Sequence, residues 1–115
     1  MENVIKFKSY QFAIRIVKAY KFLSNEQKEF VLSKQMLRSG TAIGALFREA
    51  EHAESKADFI HKLSIALKEA NETEYWLMLL HDTDYLDKKS FQSIIIDCRE
   101  LIKILVSIIK SSKMK

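Results

Sequence analysis

Three groups of side chains in this sequence have types and spacing that could do chemistry. The first is Glu49-Ala50-Glu51-His52, which contains Glu-x-x-His. Residues three apart share a helix face, and that spacing is half of a di-iron or di-manganese site in a four-helix bundle. The full site needs a second such motif and an inward Glu from each remaining helix. The motif occurs once here. Asp58 and His61 repeat the spacing, but at the exposed start of an expected helix. No metal site and no cofactor are expected. The second group is the single Cys98 with His52, His61 and His81. A cysteine nucleophile needs a positioned imidazole. The three histidines fall at or near helix ends, whereas Cys98 is centred on an apolar face, the setting of a buried structural thiol. There is no phosphate loop, zinc-ligand spacing or nucleophile elbow. The sequence reads as non-enzymatic, with no catalytic residue.

The third group is cationic. Lys8, Arg15, Lys18 and Lys21 fall on the side of the first expected helix opposite its apolar stripe, and Arg99, Lys103 and Lys110 form a row along the last. Spaced cations that release counterions bind phosphate backbones of RNA or DNA with little sequence preference and strong salt dependence. The plainer reading is a soluble lysine-rich surface. Tyr10, Phe12 and Phe22 could stack on bases, although core or interface packing explains them more simply.

The elements that must position these groups are all helical. Pro is absent and Gly occurs only at Gly40 and Gly44, which removes most breaker and tight-turn chemistry. Hydrophobic periodicity predicts helices over about 9–23, 26–53, 56–81 and 88–111. The first carries Ala13, Ile16, Val17 and Tyr20 on its core face. The second carries Leu32, Met36, Ser39, Ile43, Leu46, Ala50 and Ala53, in the alternating steps of four and three of a bundle seam. The third has Phe59, Leu63, Ala66, Ala70, Thr73, Leu77 and Leu80. The fourth has Phe91, Ile94, Ile95, Cys98, Leu101, Ile102, Leu105 and Ile109. Ser55 with Asp58 resembles a capping box, and Asp87 is placed to cap the last helix. Long helices joined by short loops pack antiparallel, so an all-α, up-down-up-down four-helix bundle is expected, as one domain over residues 1–115. The two glycines read as close packing inside that bundle.

Charge is segregated along the chain. Residues 1–48 carry +6, 49–87 carry −7 and 88–115 carry +5, within a net charge of +4. In the expected topology the two basic helices are neighbours, which predicts a basic face. A second surface is also expected. On the third helix Ile65 and Trp76 lie off the core seam beside Glu69 and Glu72, an apolar flank suited to a protein–protein interface with Arg38 as a partner for the acids. The lone cysteine and the absence of an apolar leader or spanning segment point to the cytoplasm, with no membrane role.

The central residues resemble the four-helix-bundle family of the 23S ribosomal RNA intervening-sequence proteins. The likeness is carried by Gln35, Leu37-Arg38-Ser39-Gly40-Thr41-Ala42-Ile43-Gly44-Ala45, Arg48-Glu49-Ala50, Ser55-Lys56-Ala57-Asp58-Phe59-Ile60 and the run from Leu63 to Leu77, with looser agreement at Glu100-Leu101 and Lys103-Ile104-Leu105. Leu46-Phe47 stands where such proteins often have Asn-Ile, so any polar contact made by that Asn is missing here. The resemblance implies a non-enzymatic bundle that assembles into rings, as homopentamers. It also implies relatives among the accessory proteins of diversity-generating retroelements, which act with a reverse transcriptase and bind nucleic acid. The expectation is therefore a homo-oligomer whose basic face binds RNA or DNA. The alternative is an adaptor or accessory subunit that holds a protein such as a reverse transcriptase and binds no nucleic acid itself.

Overall fold

A computed structural model describes residues 2–115. It contains four α-helices: α1 (Glu2–Asn25), α2 (Leu32–Ala50), α3 (Lys56–Asp82) and α4 (Lys88–Lys113). They run up-down-up-down in a rod measuring 47 × 21 × 19 Å. The helix pair α2–α3 packs most extensively and α1–α4 least. This is the all-α four-helix bundle that the periodicity predicts.

The third helix follows its expected seam closely, with Leu63, Ala66, Ala70, Thr73, Leu77 and Leu80 buried and Phe59 half-buried against the core. Its start is set as the sequence suggests: the Ser55 hydroxyl oxygen accepts the Asp58 backbone N–H at 3.0 Å. Asp58 is shorter than the usual Glu, and its carboxylate reaches back to the Glu54 N–H at 3.2 Å. Asp87 caps α4 by accepting the Ser90 N–H at 2.7 Å.

Two helices differ from expectation. The second starts at Leu32 rather than near residue 26. Glu29 is buried in the turn, and its carboxylate accepts the backbone N–H groups of Val31, Leu32 and Ser33 at 3.1, 3.0 and 2.7 Å. Three of the four orphan donors at a helix start are thereby satisfied by one side chain. Lys28 takes φ 57° so that the chain can turn. The first helix begins seven residues before the expected position and buries Ile5, Ser9, Phe12, Ile16 and Leu23. Ile16 alone of the expected face is fully buried; Ala13, Val17 and Tyr20 are half-buried.

The glycines set how closely α1 and α2 approach. A Cβ on Gly40 would lie 2.8 Å from Ile16 Cγ1, and one on Gly44 would lie 3.2 Å from Ser9 Oγ. Both therefore serve packing within the bundle. Phe47, from the Leu46-Phe47 departure, is fully buried; the larger ring is absorbed by the core rather than presented to a partner.

Candidate functional site

The seven cations expected to line one basic face divide into two sets. Lys8 Nζ lies 3.0 Å from Glu100 Oε1. Arg15 Nη1 lies 2.6 Å from Asp97 Oδ2, and its other nitrogen donates to Ser93 Oγ at 2.8 Å. Arg99 Nε lies 2.7 Å from Glu74 Oε2 on α3. These three tie helices together: the first two bridge α1 to α4, the third α3 to α4. Lys18, Lys21, Lys103 and Lys110 are exposed and make no ion pair among the described residues.

The unpaired lysines are not one cluster. Lys18 and Lys89 line a groove of about 630 Å³ between α1 and α4, with Lys21 one turn from Lys18. Lys103 lies about 20 Å further along α4 than Lys89, at ~1.5 Å rise per residue. The groove combines cations with an apolar lining of Ala19, Phe22, Leu86 and Ile94. Leu86 and Ile94 belong to the core, whereas Phe22 is 44 % exposed. Of the three aromatics considered for stacking, Phe12 is core, Tyr10 lies under Arg48 at 5.7 Å from ring centroid to guanidinium, and Phe22 alone lines this groove.

Of the residues expected at an oligomer interface, Arg38, Glu69, Glu72 and Trp76 form a network within one chain. Arg38 of α2 reaches Glu69 Oε1 at 3.2 Å and Glu72 Oε1 at 2.8 Å on α3, and Trp76 Nε1 donates to the same Glu72 oxygen at 3.2 Å. Hydrogen bonds from Arg38 and then Trp76 hold the Glu72 carboxyl below its usual range. Trp76 packs partly against the core, and Ile65, three turns earlier on α3, is half-buried. The ring of Tyr75 meets Trp76 edge-on at 5.1 Å.

Sequence reasoning missed the more exposed apolar surface. Phe7 (65 % exposed) and Tyr10 (55 %) continue into half-buried Ile14 and Val17 along the outer side of α1. Positions 7, 10, 14 and 17 themselves repeat in steps of three and four, the pattern of a second seam. That signal is present in the sequence beside the core seam.

The other chemical candidates resolve as structure. Cys98 is buried, and burial pushes its thiol up to about 12, leaving it protonated with Sγ 3.5 Å from the Ala70 carbonyl. Glu49 pairs with Lys62 at 3.1 Å. His81 stacks on Phe91 with ring centroids 4.3 Å apart. Among the described residues no group of three or more His, Cys, Asp or Glu side chains is placed to hold a metal, and no helix is long and apolar enough to cross a membrane.

Fold and surface together define a small all-α bundle with a groove of mixed apolar and cationic lining between α1 and α4. Comparison with known proteins places it more narrowly. The family model of the 23S rRNA-intervening sequence protein matches residues 1–107. The chain belongs to that family. It is 65 % identical to a protein of unknown function from the S23 ribosomal protein family of Bacteroides thetaiotaomicron, whose crystal structure superposes with a TM-score of 0.94 over 95 % of this chain and 97 % of that one. No curated protein gives a significant match.

Proposed function

We propose that the protein is a non-enzymatic, self-associating four-helix bundle that holds RNA or DNA by its phosphate backbone. The observation that carries this reading is the set of exposed lysines, Lys18 and Lys21 on α1 and Lys103 and Lys110 on α4, that have no acidic partner among the described residues. Free ammonium groups release counterions when they meet phosphates, whereas Lys8, Arg15 and Arg99 must first give up a carboxylate. The binding surface is accordingly smaller than the full basic row. Membership in a family named for 23S rRNA intervening sequences supports RNA as the ligand. Self-association is supported by the outer seam of α1, since Phe7, Tyr10, Ile14 and Val17 form an apolar stripe at bundle-like spacing. A homopentameric ring, cytoplasmic location and a protein partner such as a reverse transcriptase complete the reading.

The test is fluorescence anisotropy with labelled RNA and DNA across a salt series, alongside light scattering for the assembly. Binding should weaken steeply with salt. Lys18→Glu with Lys21→Glu should reduce the log–log salt slope by roughly 0.7–0.9 per lost contact while leaving the scattering mass unchanged. Arg15 is unsuitable for this test because it anchors α4. Absence of salt-sensitive binding to any nucleic acid would overturn the proposal.

A further inference from the structure

From the α1–α4 groove we infer that the protein selects single-stranded over duplex nucleic acid by seating one unstacked base against Phe22. This rests on the nucleic-acid reading above and names the form of ligand that the same surface takes. A phosphate-binding surface alone needs only exposed cations and accepts a duplex as readily as a single strand. This surface offers more. The groove holds about 630 Å³, within the roughly 300–1,000 Å³ of clefts that enclose small organic groups. Its apolar lining contains Ala19, Leu86, Ile94 and the half-exposed ring of Phe22. Lysines 18 and 89 lie on the two helices that bound it.

That combination matches a nucleotide: a flat apolar-faced base beside an anionic backbone. Aromatic side chains next to a cationic track are how single strands are held without sequence readout, because every base has a π-face to offer. In a duplex the base faces are already stacked and only the backbone can reach the lysines. Asp87 also lines the groove. Its carboxylate is engaged by the Ser90 N–H that starts α4, and its charge repels phosphate. The backbone is therefore favoured on the α1 side of the groove, where Lys18 lies, over the Asp87 end.

The experiment compares a single strand with the duplex of the same sequence at one low salt concentration, using native protein and Phe22→Ala. A fluorescent base analogue in the single strand reports stacking directly. Phe22 is on the surface, so its truncation leaves the fold and assembly intact, which circular dichroism and light scattering check. The expected result is tighter binding of the single strand, quenching of the analogue, and a loss of roughly ten- to hundredfold in single-strand affinity for Phe22→Ala, with duplex affinity unchanged. Equal binding of both forms, unaffected by Phe22→Ala, overturns this inference and leaves the broader reading standing. No binding of either form overturns both.

Discussion

Where α2 meets α3 a dry interior carries the contact, with the partly exposed ion pairs of Arg38 with Glu69 and Glu72 and of Lys62 with Glu49 bridging the helices outside it. Ser39 and Thr73 are fully buried, with Thr73 Oγ1 2.8 Å from Ser39 Oγ; Met36, Ile43, Ala66, Ala70 and Leu77 belong to the same core. Where α1 meets α4 the contact is wet: Lys8–Glu100 and Arg15–Asp97 bridge the helices with both partners substantially exposed, and a groove opens beside them. Burial of apolar area works at any ionic strength, while exposed ion pairs contribute at most about 1 kcal/mol each and are screened. The difference teaches where this bundle can afford a ligand. The α2–α3 side centres on buried hydroxyls and apolar side chains, whereas the α1–α4 side opens a groove in which Lys18, Lys89 and the ring of Phe22 are within reach of solvent.

The comparison can be broken first at the core. Phe47 is fully buried on α2, and Phe47→Ala should destabilise the protein by about 3–5 kcal/mol through lost transfer energy and the cavity left behind. Denaturant unfolding at low and at high salt should give the same loss. A cost that falls with salt would mean that the dry side also depends on charge.

A smaller effect tests a buried carboxylate against the exposed ones. Burial pushes the Glu29 carboxyl up, but the backbone N–H groups of Leu32, Ser33 and Val31 outweigh it and hold the group below its usual range. The unfolded chain therefore takes up this proton first. The stabilisation is full above the unfolded value of roughly 4.3 and is lost as pH falls through the folded value. Glu29→Gln should cost about 1–2 kcal/mol at neutral pH and flatten the acid limb of the stability curve. An unchanged acid limb would remove Glu29 as its source.

How much of this was legible in the sequence follows from the same contrast. On α3 the core seam alternates four and three, and its buried residues are those the periodicity selects even though Ile65 and Trp76 form an apolar flank beside it. On α1 two stripes compete. The inner one, Ile5, Ser9, Phe12, Ile16 and Leu23, includes a polar residue, while the outer one, Phe7, Tyr10, Ile14 and Val17, carries aromatics. Periodicity alone cannot rank them, so the expected face mixed members of both. The turn before α2 was hidden because Glu26, Gln27 and Lys28 are good helix formers, and only the fold shows Glu29 turning its carboxylate onto the next helix start. The cations of the candidate site were plain, but their partners were not. Asp97 and Glu100 are on the same basic helix as Arg99, and that both of them pair with α1 while Arg99 pairs with α3 depends on how α4 is rotated.

The smallest effect on stability sharpens the comparison most, because it should move stability and binding in opposite directions. Arg15 is held 2.6 Å from Asp97 beside the groove that it also lines. Asp97→Asn keeps the shape of the side chain and removes its charge. The loss of stability should be under about 1 kcal/mol at low salt and should vanish near 1 M, where the Debye length is about 3 Å. The same substitution releases a guanidinium beside Lys18, so the salt slope for single-stranded nucleic acid should steepen by roughly 0.7 and low-salt affinity should rise. Unfolding curves and anisotropy titrations on one preparation give both numbers. If Asp97→Asn weakened binding, Arg15 would be acting through the position of α4 rather than through its own charge, and the groove would depend on the ion pair instead of competing with it.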